Sequence, residues 1–396
     1  MPVGKQPTTL QEWFGLNKGE YNIDPEAADF VAFNQEFAND VKRRMERSLI
    51  TGAGPKFVVL HKRGDGKTHV INYVANSLIE SGLIEKIYII CPALARGSRY
   101  PDLHKSIILK MHEHGLITRI LEHSWKKTSG KGSIEKRQTQ LRQQLGFPDL
   151  ADAYAAFETN QVSENVFVNY LCALKLNPRD QEALSVKTPL DTTAAVRVLN
   201  VLANQLWEFE GKVLMVVIDE IDNLKEAKLG ARDFKEAFRQ LAETTRLSFV
   251  LICNVTPDER LALEVLPSPL KDVSVVTRIG SKNYMVKPEP MRVTDLRAFI
   301  VEVNRRLKGE KSRAALERAK KKFKGQIEDD LFPFTLDGFN EFQSRVQHFL
   351  GTGSKETILL PRSVLQYVNA CCGEAILSEK EAIDADVVKS IGEFTQ

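Results

Sequence analysis

Four short apolar runs punctuate this chain: Lys56–Leu60, Lys86–Ile90, Lys212–Ile218 and Leu247–Cys253. None alternates apolar with polar residues, so each reads as a strand covered on both faces, the pattern of a parallel sheet. The stretches between them space apolar residues three and four apart and read as helices, one ending near Ser81, the others spanning Asp191–Phe209 and Arg232–Arg246. Such strand–helix–strand alternation predicts an α/β fold with right-handed crossovers. The third run begins far later than a minimal crossover requires. The excess, about residues 100–190, reads as an inserted helical subdomain with a loop near Ser129–Ser133. A short last strand is expected at Asn283–Val286, and Pro288 and Pro290 form a linker. Helical spacing then holds at Val293–Leu307, Lys311–Lys324, Leu336–Phe349, Pro361–Leu377 and Ala385–Ile391. Near the start, Leu10–Phe14 and Ala28–Leu49 are helical until Thr51–Pro55 stops them. The expected domains are a helical N-terminal segment over 1–55, an α/β core over 56–287 and a helical domain over 288–396.

Composition narrows the class without naming a task. A chain of 396 residues with 43% hydrophobic and 27% charged residues has ample core for two soluble domains. Its formal charge is only +3, so any attraction for nucleic acid must be local. No run is long and apolar enough for a membrane span, and the first residues lack a signal core, which leaves the membrane out as a partner. Cys91, Cys172, Cys253, Cys371 and Cys372 form no C-x-x-C pair, which argues against zinc and for a reducing compartment, by default the cytoplasm.

The chemistry gathers where the first strand ends. Gly64-Asp65-Gly66-Lys67-Thr68 sets two glycines in a turn and a Lys–Thr pair at a helix start, the layout of a phosphate cradle. Backbone N–H groups of such a loop point at a β-phosphate, Lys67 reaches the β and γ oxygens, and the Thr68 hydroxyl ligates Mg²⁺. His69, in the first helical turn, joins the same set. The consensus loop opens on a glycine where this chain has His61; Gly64 and Gly66 still supply backbone freedom. The third run ends in Asp219-Glu220, at the carboxyl edge of the sheet where α/β proteins bind ligands. Asp219 suits Mg²⁺, directly or through water, and Glu220 suits a base for the water attacking a γ-phosphate. An acidic cap for the next helix is the plain alternative. Asn254 ends the fourth run at the same edge, placed to touch that water or to make an Asx turn before Thr256–Pro257.

This ordered set, with Arg278 and Arg362, resembles the AAA+ ATPases, and within them the initiator-like clade of origin-recognition proteins, helicase loaders and transposon target-selection ATPases. The likeness spans about Ala28–Ile376, the insertion apart. Asp272–Ser281 is similar to that clade's stretch carrying an arginine finger, and Leu359–Leu365 to its lid-helix segment. The resemblance implies an αβα P-loop NTPase core with a C-terminal helical lid, and ATP and Mg²⁺ as cofactors. It also implies ATP hydrolysis, with Arg362 sensing the γ-phosphate in cis and Arg278 acting in trans across a homo-oligomer. Energy from hydrolysis would remodel or recruit partner proteins on DNA.

Two basic stretches are candidates for contact with double-stranded DNA. Arg305–Lys324 holds ten basic residues against Glu310 and Glu317, and Lys126–Arg142 holds six against Glu135. A solvated helix face gives the same composition. An L-S-G-G-Q-like helix start and an N-K-x-D sequence are both missing, which sets aside ABC-type ATPases and GTPases. One alternative stays open on His61: a nucleotide-gated switch or scaffold, of the defence-signalling type, acting on protein partners with little or no hydrolysis.

Overall fold

In this computed structural model the described residues are 9–17, 20–21, 28, 30–62, 64, 66–128, 133–186, 190–255, 266–280, 283, 286–349 and 358–392. Asp65, most of the Ser129–Ser133 loop and Thr256–Pro257 lie outside them. Contacts divide the chain into two compact units, one of residues 40–62 and 74–287, the other of 1–39, 63–73 and 288–396.

The first unit is built on four parallel strands, β1 (Lys56–Lys62), β2 (Ile84–Ile90), β3 (Val213–Asp219) and β4 (Leu247–Val255). Their order is β1-β4-β3-β2. The apolar runs explain this sheet: every residue of β3 is buried, as expected of a strand with helices on both faces. β1 gains a further parallel neighbour on its free side. Val58 N–H donates to Asn283 O at 3.0 Å, and Val286 bridges Val58 and Leu60 at 2.9 and 3.0 Å. Of the expected strand at 283–286, the described residues show a single parallel bridge at Val286 and a turn at Asn283; the α/β parallel architecture is as the sequence predicts.

Among the described residues, six helices from Tyr100 to Ala183, and then the helix Thr192–Glu210, lie between β2 and β3. They are not a separate subdomain. Tyr100, Leu103, Ile107, Leu121, Trp125 and Tyr154 belong to the same hydrophobic cluster as Val216, Ile218 and Leu251 of the sheet. Two helix boundaries also differ from expectation. The helix within Ala28–Leu49 is confined to Gln35–Leu49. The one at Arg232–Arg246 spans Ala231–Glu243, where the Thr244 hydroxyl turns back to Leu241 O and Arg246 stacks on Trp207 at 4.2 Å.

Among its described residues the second unit is mainly helical, with a two-residue antiparallel pair, β5 (Met291–Arg292) with β6 (Ile358–Leu359), and isolated bridges at Leu16–Lys308 and Phe334–Ile383. Its cluster joins both ends of the chain: Phe14 and Tyr21 pack with Phe299, Phe332, Phe342 and Val368. Trp13 Nε1 donates to Lys380 O at 2.8 Å, and the Tyr21 hydroxyl to Asn304 Oδ1 at 2.8 Å. Among the described residues no helix is long and apolar enough to cross a membrane.

Candidate functional site

β3 delivers Asp219 to the carboxyl edge of the sheet, where it is buried. The chain then turns sharply. Glu220 takes φ 53° and ψ 38°, the left-handed conformation that non-glycine residues adopt rarely and that concentrates at functional sites. Its N–H donates to Asp219 Oδ1 at 2.7 Å, which braces the turn and ends the strand. A 3₁₀ helix, Ile221–Glu226, follows, and Glu220 at its start makes no side-chain cap. The capping alternative for Glu220 is thereby removed, and its half-buried carboxylate stands at the edge.

β4 lies between β1 and β3, so Asn254 reaches the same edge, in register with His61 of β1. Asn254 N–H donates to Asp222 Oδ1 at 2.9 Å, so a third carboxylate of the Asp219–Asp222 segment ties β4 down. Negative charge is concentrated here. Burial, reinforced by Asp222 and Glu220, pushes the Cys91 thiol at the end of β2 up to about 12. The carboxylates, unlike the burial, would favour a cation at this edge.

β1 ends at the same edge, and the loop follows it directly in sequence. Gly64 and Gly66 have φ of +91° and +81°, the positive-φ backbone that glycine adopts without a Cβ penalty and that anion-binding turns use. A Cβ at Gly66 would meet nothing within 4 Å, so its cost is backbone strain alone. Gly66→Ala is expected to lower unfolding free energy by about 1–2 kcal/mol. Guanidinium unfolding reads this directly, and an unmoved midpoint would show that the left-handed backbone is not needed there.

The helix Lys67–Glu80 opens straight after the loop with Lys67 buried and Thr68 half-buried. His69 turns toward its own unit: Nε2 lies 2.6 Å from Phe30 O and the ring meets Phe30 edge-on. Arg362 is the second residue of the helix Pro361–Leu377 and is exposed. A Cβ at Gly64 would touch Leu360 at 3.7 Å and the Arg362 Cβ at 4.0 Å, so the root of that arginine stands beside the loop. A cation at a helix N-terminus is unfavourable without an anion, and a loop-bound phosphate is one.

Arg278, in the last turn of the helix Val273–Ile279, is exposed and bonded within its own chain, to Glu243 Oε1 at 2.6 Å and Ser274 O at 2.8 Å. The edge therefore collects Asp219, Glu220 and Asn254, while Arg278 is engaged elsewhere on the same unit. The donors that the sequence offers for Mg²⁺ are one hydroxyl, Thr68, and one carboxylate, Asp219. Among the described residues no group of three or more His, Cys, Asp or Glu gathers for a metal. One carboxylate with one hydroxyl is a donor set that Mg²⁺ takes, since it completes its shell with phosphate oxygens and water.

An α/β protein with a four-stranded parallel sheet, whose acidic strand lies one strand away from the strand that runs on into the glycine turn, is what this fold defines. No family model matches the chain, and no curated protein matches it. Among solved structures it is similar to the ORC1 protein of Aeropyrum pernix in complex with DNA, at 14% identity and a TM-score of 0.45, over 91% of this chain and 65% of that one. It is similar also to a Walker-type ATPase of Pyrococcus abyssi, at 14% identity and TM-score 0.44, over 93% and 75% of the two chains. Cdc6p from Pyrobaculum aerophilum follows at 12% and 0.46, over 91% and 68%. At such identities and scores these likenesses extend to neither activity nor partners, which rest on this chain's own residues.

Proposed function

We propose that this chain binds ATP with Mg²⁺, hydrolyses it, and assembles with further copies of itself through the nucleotide site to remodel or recruit partners on DNA. The observation that carries this reading is the left-handed Glu220 directly after a wholly buried strand, a strain that plain packing does not call for. Loop N–H groups at Gly64 and Gly66, with Lys67, hold the β- and γ-phosphates. Asp65 belongs to the same loop, and His69 contributes through its backbone. Thr68 and Asp219 would hold Mg²⁺, which would supply charge neutralisation at the phosphate oxygens. Glu220 takes the proton of the attacking water, Asn254 orients it, and Arg362 reads the γ-phosphate. The test is phosphate release and particle mass with ATP, with and without duplex DNA. Turnover with growth in mass supports the reading; neither ATP binding nor turnover would overturn it.

A second reading, a switch with little hydrolysis, is favoured by one observation: Arg278 is bonded to its own chain. ATP-dependent mass growth without turnover would select it.

Between the basic stretches, the greater number of exposed cations favours the C-terminal one for DNA. In the insertion Lys127 and Lys136 are exposed, while Lys126 pairs with Glu122, Arg142 with Asp152, and Arg137 covers Trp125 at 3.9 Å. In the helix Ser312–Lys322 and just beyond it, Arg313, Lys321, Lys322 and Lys324 are exposed, although Arg305 and Arg306 pair with Glu302, Lys308 with Asp330 and Lys320 with Asp329. Reversing Lys321 and Lys322 to Glu is expected to weaken binding of any duplex sequence and to cut the salt-dependence slope by about 2, near 0.9 per phosphate contact. An unchanged slope would move the DNA surface elsewhere.

A further inference from the structure

Asp219 is held from two sides. Glu220 N–H takes Oδ1, and the Tyr88 hydroxyl donates to Oδ2 at 3.0 Å. The register explains the reach. Tyr88 lies opposite Val217 and Ile90 opposite Asp219, so Tyr88 and Asp219 share a face as diagonal neighbours, a separation that long aromatic side chains span. Tyr88 and Asp219 are both buried, at 9% and 6% exposure, so water competes little for this bond. Nothing in strand chemistry asks for a hydroxyl at this position, since Ile87, Ile89 and Ile90 flank it.

We propose that Tyr88 is a positioning residue for the Mg²⁺-supporting carboxylate, fixing the rotamer of Asp219 so that its remaining lone pairs face the metal and its waters. Each carboxylate oxygen accepts more than one hydrogen bond or ligand, so the Tyr88 bond leaves Oδ2 competent. The inference rests on the nucleotide reading above. An outer partner of a ligating carboxylate sets its orientation, and losing it costs about 10–100-fold in metal affinity.

The test titrates Mg²⁺ against a fluorescent ATP analogue bound to the full chain, for the natural protein and Tyr88→Phe. Tyr88→Phe is expected to need about 10–100-fold more Mg²⁺ for half-saturation, with analogue affinity in EDTA unchanged. A merely structural tyrosine would lower both affinities together or neither. An unchanged Mg²⁺ requirement overturns the assignment of Tyr88 alone. Absence of analogue binding by the natural protein overturns the nucleotide reading, and the assignment with it. In an Asp219→Asn background, adding Tyr88→Phe is expected to have no further effect; an additive loss counts against the proposal. Should Tyr88→Phe fail to fold, Tyr88→His, which keeps a donor on a shorter side chain, is expected to show a raised Mg²⁺ requirement with EDTA binding intact, and the natural requirement would overturn the assignment.

Discussion

Glu220→Gln is expected to keep its ATP while releasing phosphate about 10²–10⁴-fold more slowly, the range for a lost general base. The substitution changes one group and little else. Glutamine matches glutamate in shape, and the brace that holds the turn is a backbone N–H to Asp219 Oδ1, which the change does not touch. The left-handed backbone at 220 stays equally strained in either residue. Binding and turnover should therefore separate, with unchanged analogue affinity and stalled hydrolysis in single-turnover measurements. Hydrolysis at the natural rate would remove Glu220 from its role.

Arg278→Ala is expected to show the larger loss, about 10³–10⁵-fold in turnover, the value of an arginine that neutralises the transferring phosphoryl group. Folding should hardly register it. The Arg278–Glu243 pair is 34% and 48% exposed, and exposed pairs contribute about 0–1 kcal/mol. The trans role has a sharper check than the rate alone. Arg278→Ala and Glu220→Gln chains are each expected to be nearly inactive, yet mixing them builds some interfaces with Glu220 from one copy and Arg278 from the next. Turnover recovered on mixing supports action across the boundary; a mixture as inactive as its parts would sink it.

The sheet was legible because its strands are local patterns. Val213–Asp219 is apolar at every position before the carboxylate, and no helical period fits it. Helix ends with strong local signals also matched: Pro361–Leu377 starts on a proline, and Leu336–Phe349 keeps its period throughout. Less was legible where partners are distant in sequence. Asp222 reads as one more acid after Asp219, and only the neighbouring place of β4 makes it the anchor of Asn254. Tyr88 has a faint signal, a lone hydroxyl in an isoleucine-rich strand, whose meaning depends on the β2–β3 register. Arg278 gives no sign in sequence that Glu243, on the helix Ala231–Glu243, holds it.

The amino-acid order by itself determined the kinds of elements, the glycine turn before Lys67 and the acids closing the third strand, because period, propensity and chain connectivity act over a few residues. Only the tertiary structure decided that β4 sits between β1 and β3, that the insertion shares the core of the sheet, and that Phe14 and Tyr21 pack among the C-terminal helices. Those outcomes follow from which apolar faces cover one another across long stretches of chain, a competition that local pattern does not encode.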